Sequence, residues 1–379
     1  MNNANLPRFE RPLHVGRPNT LRKEKFLELA SQALDRQWLS NDGPLVREFE
    51  ATIAEYLDVK HCVAIANGTI ALEILIKATG LSGEVIVPSW TFVATAHALQ
   101  WHGITPVFAD IDPETHCLDP RSVRAKITDK TTGILAVHLW GRGAPVQELQ
   151  EVADEHGLTL LFDAAHAFGV SAKGTMVGNF GCAEILSFHA TKFFNAIEGG
   201  AIVTNDDEVA RQARLMRNFG FTGEDTVASV GTNGKMTEIS AAMGLANFGS
   251  LSELVEVNRA HYEAYRNGLD GVSGLRVLEI DATEKSNYQY VVLLVGAECP
   301  VSRDELLAVL RRNNVLARRY FWPACHRMEP YRTSQPDAGR TLTNTERVSE
   351  AVIVLPTGTS LSSADVHAVT ELIAESVNG

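Results

Sequence analysis

The sequence has 379 residues, 45% hydrophobic and 21% charged, the ordinary composition of a folded globular protein with length for about two domains. Basic residues number 34 against 46 acidic ones, a net charge of −12 that excludes nucleic acid and anionic membrane as partners recruited by the overall field. Five cysteines, odd in number and without a CxxC pair, predict a reducing, cytoplasmic setting, and no apolar run is long enough to span a bilayer.

Residues 1–20 are polar and proline-bearing, without the apolar core or cleavage site of a secretory leader, and read as an arm. TLRKEKFLELASQALDRQ follows with helical spacing through Leu27, Ala30 and Leu34, and GPLVREFEATIAEYLD is a second amphipathic helix. Short β-branched runs then alternate with helical stretches. The runs are HCVAIAN, GEVIVPS, TPVFADI, TGILAVHL, LTLLFDAA, AEILSFH and GGAIVTND, with ALEILIKATG, FVATAHALQWH, PRSVRAKIT and APVQELQEVADEHG between them. Such alternation predicts an α/β fold, a mostly parallel sheet sandwiched by helices, with ligands gathered at the carboxyl ends of its strands. A long helical reading begins near residue 238. Beyond it NYQYVVLLVG, VSRDELLAVLRRNNV, AVIVLPT and SSADVHAVTELIAESV predict a smaller α+β domain over residues 256–379, after an arm and large domain over 1–255.

Four features stand at or just past predicted strand ends. Asn67, Gly68 and Thr69 precede a helix, whose free amides either cradle a phosphate or merely need a cap. Asp163 ends a strongly apolar strand, with His166 three residues on. A carboxylate there is costly without a cation or donors, and it reads as a turn cap, a metal ligand, a base, or the partner of a protonated heterocycle. Trp90 and Phe92 in PSWTFVATAHAL are either core or a stacking platform. Lys192, in SFHATKFFNAIEGG, sits among apolar neighbours, where a lysine can lose its proton and become a nucleophile.

Competing chemistries find less support. GRGAPV lacks the third glycine of a dinucleotide fingerprint, which lowers a nicotinamide oxidoreductase. His97, His102, His116 and Cys117 lack zinc spacing, so no metal is expected, and no GxSxG elbow is present. A phosphate cradle, an aromatic, a buried aspartate and a buried lysine in this order are instead what pyridoxal 5′-phosphate requires.

The ordered set WLSNDGPLVREFE, ANGTIALEI, PSWTFVAT, PVFADIDPET, DAAHAFG, SFHATK, EGGAIVTND, GTNGKMTEISAAMGL and RRYFWPACHRMEPY resembles the DegT/StrS family of sugar aminotransferases, which have the fold of aspartate aminotransferase, fold type I. The resemblance implies that Lys192 forms the Schiff base with the cofactor and that Asp163 partners its pyridine nitrogen. It further implies phosphate contacts from Gly68, Thr69 and Ser187, ring stacking by Phe92, and His166 near the phenolic oxygen. Asn233 matches an asparagine that reaches the neighbouring subunit's cofactor, implying a homodimer with composite sites; Gly234 stands where many relatives carry an aromatic. Retention of Lys192, rather than histidine, implies transamination with L-glutamate as donor. The likeness favours C4 of a dTDP-4-keto-6-deoxyhexose as acceptor, giving dTDP-4-amino-4,6-dideoxy-D-glucose. A C3 aminotransferase, a GDP- or UDP-sugar enzyme and a non-catalytic cofactor-binding regulator are the alternatives. Because a sugar diphosphate needs local cations, Arg319 and Tyr320, in the arginine-rich stretch 313–332, are expected to line its site.

Overall fold

The structure is a computed structural model and describes residues 6–20 and 22–379. The arm carries a short strand, β1 (Leu13–His14), before α1 (Lys23–Asp35) and α2 (Pro44–Leu57). Strand and helix then alternate through β2 (His61–Ile65), α3 (Gly68–Ala78), β3 (Glu84–Pro88), α4 (Val93–Trp101), β4 (Thr105–Ala109), α5 (Pro120–Arg124), β5 (Thr131–Val137), α6 (Val146–His156) and β6 (Thr159–Asp163). A small hairpin, β7 (Ser171–Ala172) and β8 (Thr175–Met176), precedes β9 (Ala183–Ser187) and β10 (Gly200–Thr204). Helices α7 (Asp207–Met216), α8 (Glu238–Phe248) and α9 (Leu251–Gly268) lead to β11 (Leu275–Val277) and β12 (Val291–Val295). The chain ends with α10 (Arg303–Arg312), β13 (Val315–Leu316), α11 (Tyr331–Ser334), α12 (Thr343–Ala351), β14 (Val352–Leu355) and α13 (Ser363–Asn378).

The central sheet has seven strands in the order β2-β10-β9-β6-β5-β3-β4. Five of its strands, β4, β3, β5, β6 and β9, run parallel in sequence of pairing, while β10 is antiparallel to both of its neighbours. The connection from β9 to β10 holds no helix to carry the chain back along the sheet, so β10 returns antiparallel. Residues such as Val85, Ile86, Val87, Leu161 and Phe162 are fully buried because helices cover both faces. Each such side chain is worth roughly 1.5–3 kcal/mol on burial.

A second sheet, β11-β12-β14, is antiparallel and packs with α9, α10 and α13 around Tyr265, Leu306, Leu310, Val366 and Ile373. The arm joins this core rather than lying free: Phe9 and Leu13 are buried in it, and β1 pairs in parallel with β13. One helical reading is revised. The stretch from residue 238 is two helices, α8 and α9, broken at Gly249 and Ser250. The helix read from Leu27, Ala30 and Leu34 is α1, and its buried face within this chain is Leu29 and Ala33, with Leu27 and Leu34 exposed.

Candidate active site

The carboxyl ends of the parallel strands and the segments that follow them surround a cavity of about 700 Å³. Its wall includes Asn67, Gly68 and Thr69 after β2, Thr91 and Phe92 after β3, Asp163 and His166 from the end of β6, and Ser187 and Lys192 from the end of β9. The second sheet's side supplies Tyr290, Arg318, Tyr320 and Phe321.

The cradle forms because Asn67, in extended backbone, caps α3: its side chain accepts the Ile70 N–H at 2.9 Å. The Gly68 and Thr69 amides at the head of the helix find no partner among the described residues and border the cavity. Gly200 lies directly behind, where a Cβ would stand 2.5 Å from the Asn67 carbonyl carbon and 2.7 Å from the Gly68 nitrogen. Only glycine permits β10 to pass this close to the cap.

Asp163 is 5% exposed. Its carboxylate accepts the Thr95 hydroxyl at 2.8 Å and the Ala165 N–H at 3.0 Å, and Thr95 in turn lies 2.9 Å from the Thr91 hydroxyl. Burial pushes its pKa up, opposed by those two donors and then by the charges of Lys192 and His138. Lys192 is partly buried, and loss of solvation lowers its pKa from 10.5 to about 8 against the opposing pull of Asp163. His166 packs beside the stacked pair Trp140 and Phe321, with ring centroids at 6.0 and 5.8 Å from its own. Burial, then the Lys192 charge, holds it well below the ordinary histidine value, so the ring is neutral. Its Nδ1 is buried without a hydrogen-bond partner among the described residues.

Phe92 is 58% exposed and overhangs the cavity, whereas Trp90 is buried and belongs to the core. Asn233 is exposed on an isolated bridge with Asn218 and does not border this cavity within the chain. Tyr320 does line it. Arg319 instead pairs with Asp304 at 3.0 Å, stacks over Trp322 at 3.9 Å and faces an adjoining depression, while Arg318 reaches the main cavity. Thr91, Thr95 and Tyr290 were not singled out from the sequence, and Arg318 was read only as one arginine of its stretch, with Arg319 preferred. Two neighbouring arginines carry no periodic signal that says which one turns inward, and Tyr290 reads as an ordinary strand residue.

A model of the DegT/DnrJ/EryC1/StrS aminotransferase family matches residues 20–374. The chain belongs to that family. It is 35% identical to the dTDP-4-amino-4,6-dideoxy-D-glucose transaminase of Shigella dysenteriae, over 97% of this chain and 100% of that one. It is 34% identical to a GDP-perosamine synthase of Vibrio cholerae, over 78% of this chain and 81% of that one. Among solved structures, DesI in the presence of its TDP-sugar product superposes with a TM-score of 0.94 at 47% identity, covering 98% of this chain and 94% of that one. The protein is therefore an aminotransferase of the α/β fold expected for it, and aminotransferases of this family depend on pyridoxal 5′-phosphate. The residues present fit that cofactor: free helix amides for a phosphate, an overhanging aromatic, a buried carboxylate, an unpartnered imidazole nitrogen and a depressed lysine share one cavity.

Proposed function

We propose that this aminotransferase transfers the amino group of L-glutamate to C4 of a dTDP-4-keto-6-deoxyhexose, giving dTDP-4-amino-4,6-dideoxy-D-glucose. The observation that carries the chemistry is Lys192 and Asp163 on the wall of one cavity, the lysine with a pKa of about 8 and the aspartate buried. The 35% relative and the DesI complex carry the choice of sugar.

Pyridoxal phosphate, when bound, supplies a carbonyl that accepts amines and a ring that takes up the electron pair left by a departing proton. Gly68 and Thr69, with the Ser187 hydroxyl, would hold its phosphate. Phe92 would cover one face of the ring, and the neutral His166 would offer a ring nitrogen to its edge. Asp163 would present a negative charge to the heterocyclic nitrogen and keep a proton there. Lys192 would hold the cofactor covalently; freed by the donor amine, its Nζ would take the proton from the donor's α-carbon and return it two bonds away, across the shared nitrogen. With a pKa of about 8, about a tenth of this amine is unprotonated at pH 7, far more than for an ordinary lysine. The same movements in reverse place the amine on the keto sugar. Arg318, cationic and without an ion-pair partner among the described residues, meets the sugar diphosphate together with Tyr320, and Arg319 flanks them.

We further propose a cytoplasmic homodimer. Leu34, Trp38, Leu39, Phe219 and Val230 are exposed apolar residues on this chain, and Asn233, also exposed, reaches the partner's cofactor in that arrangement. Among the described residues no helix is long and apolar enough to cross a membrane. The residues 256–379 are proposed to form the small domain.

Incubation with L-glutamate and a panel of dTDP-, GDP- and UDP-linked 3-keto and 4-keto sugars, with products assigned by NMR, tests the reading. A 4-amino dTDP sugar is expected. Preference for a GDP sugar would move the chain toward the Vibrio cholerae relative, and a 3-amino product would overturn the assignment of carbon.

A further inference from the structure

The segment after Lys192 belongs to no strand or helix, and its backbone makes few bonds of its own: Lys192 N–H to the His189 carbonyl at 2.8 Å, and Ala196 N–H to the Phe188 carbonyl at 2.8 Å. Side chains from distant parts of the sequence hold the rest. Asn19 of the arm, 3% exposed, donates from Nδ2 to the carbonyl of Phe193, the residue next to Lys192, at 2.8 Å. Its own carbonyl accepts the Asn195 side chain at 3.0 Å. Its Oδ1 accepts both the N–H and the hydroxyl of Thr359, at 3.0 and 2.7 Å. Every polar atom of the Asn19 side chain except one amide hydrogen is thereby spent on joining the lysine segment to the C-terminal region.

The arm is itself well anchored. Arg8 pairs with Glu371 and Glu375, Arg11 with Asp365, and β1 lies on β13. Gly16, with φ +74°, runs so close to the residue before Lys192 that a Cβ there would stand 3.0 Å from the Thr191 carbonyl oxygen.

We propose that Asn19 is a positioning residue for Lys192, fixing the Phe193 carbonyl and thus the stem from which the lysine side chain springs, and tying that stem to Thr359 and the C-terminal region. The proposal rests on the role given to Lys192 above. The titratable and charged groups around the amine are His189 and Glu198 on its own segment, Asp163 and His166 beside it, and Tyr290, Tyr320 and Arg318 from the C-terminal side. None of them hydrogen-bonds Asn19. A change in the behaviour of the amine on altering Asn19 therefore reports displacement of the lysine rather than removal of a neighbouring charge.

The test measures the rate of covalent capture of pyridoxal phosphate by the cofactor-free full chain between pH 6.5 and 10, with kcat, KM and Tm alongside. In Asn19→Ala a freed lysine is better solvated, so the midpoint of the capture profile moves up by about one pH unit. The kcat falls by roughly fivefold or more, while KM for the amino donor stays within about twofold. A lowered Tm with an unmoved midpoint and unchanged kcat would make Asn19 merely structural and overturn the proposal. Should Asn19→Ala not fold, Thr359→Val decides: it removes only the 2.7 Å hydroxyl bond and is expected to move the midpoint up by a smaller amount, no movement being the refuting result. Lys192→Ala separates the two readings, since undiminished covalent capture by that variant would show that the lysine assignment, not the tether, has failed.

Discussion

Replacing Lys192 with methionine, similar in length and never charged, is expected to stabilise the cofactor-free protein at neutral pH. The amine's pKa falls from 10.5 to about 8 in the folded chain. At about 1.4 kcal/mol per unit this amounts to about 3 kcal/mol, and the partial access of the side chain to cavity water reduces it to about 2 kcal/mol. The sign follows from proton binding. Below pH 8 both folded and unfolded chains carry the charge, and the folded state bears the whole cost. Between pH 8 and 10.5 the unfolded chain binds more protons, so wild-type stability rises with pH and the variant's advantage closes. Urea unfolding of both proteins at pH 7 and pH 10 measures the difference, in which titrations not coupled to Lys192 cancel. Because Lys192 is one of the charges that favour an ionised Asp163, the comparison is repeated with Asp163→Asn in both chains. An advantage that is absent at pH 7, or equally large at pH 10, would refute desolvation as the origin of the lowered pKa.

Thr95→Val removes the 2.8 Å hydroxyl donor to Asp163; a hydrogen bond to a charged group is worth about 1.5–3 kcal/mol, so the acid limb of kcat/KM should rise by about one to two pH units, and an unmoved limb would detach Asp163 from that limb. Gly200→Ala places a methyl against the Asn67 carbonyl and the Gly68 amide. Absorbance titration should then show cofactor affinity reduced by about tenfold or more, while unchanged affinity would mean that the cap can give way at little cost.

All seven strands of the central sheet were legible as apolar runs, because strands buried on both faces must be apolar throughout. The antiparallel return of β10 was not, since GGAIVTN reads alike in either direction. The pieces that the sequence pattern suggested as cradle, aspartate and lysine do border one cavity, for the general reason that a parallel sheet collects its strand ends at one edge. The hydroxyl pair Thr91 and Thr95 escaped notice because a four-residue helical spacing inside an apolar segment looks like packing. Trp90 and Phe92 show the limit from the other side: two residues apart in the same turn, one is buried at 1% and the other exposed at 58%. Asn19 was hidden for a different reason. Its partners lie more than 170 residues away, and an asparagine in a polar arm carries no local sign of being buried.

The return from β9 to β10 also fixes a length. Ser187 and Gly200 face each other across the pair, so the twelve residues 188–199 between them start and finish at the same rung of the ladder. Deleting one residue there, with β9 unmoved, would bring Ala201 to the rung that Gly200 occupies, against the Asn67 cap. Insertions and deletions in this segment are therefore felt across the sheet at the Asn67 cap of the cavity as well as at the lysine. Segment exchange with a relative that keeps Lys192 and its buried neighbours is expected to leave Gly200 on its rung only when the number of residues is also kept, and this makes chain length here a design constraint in addition to side-chain chemistry.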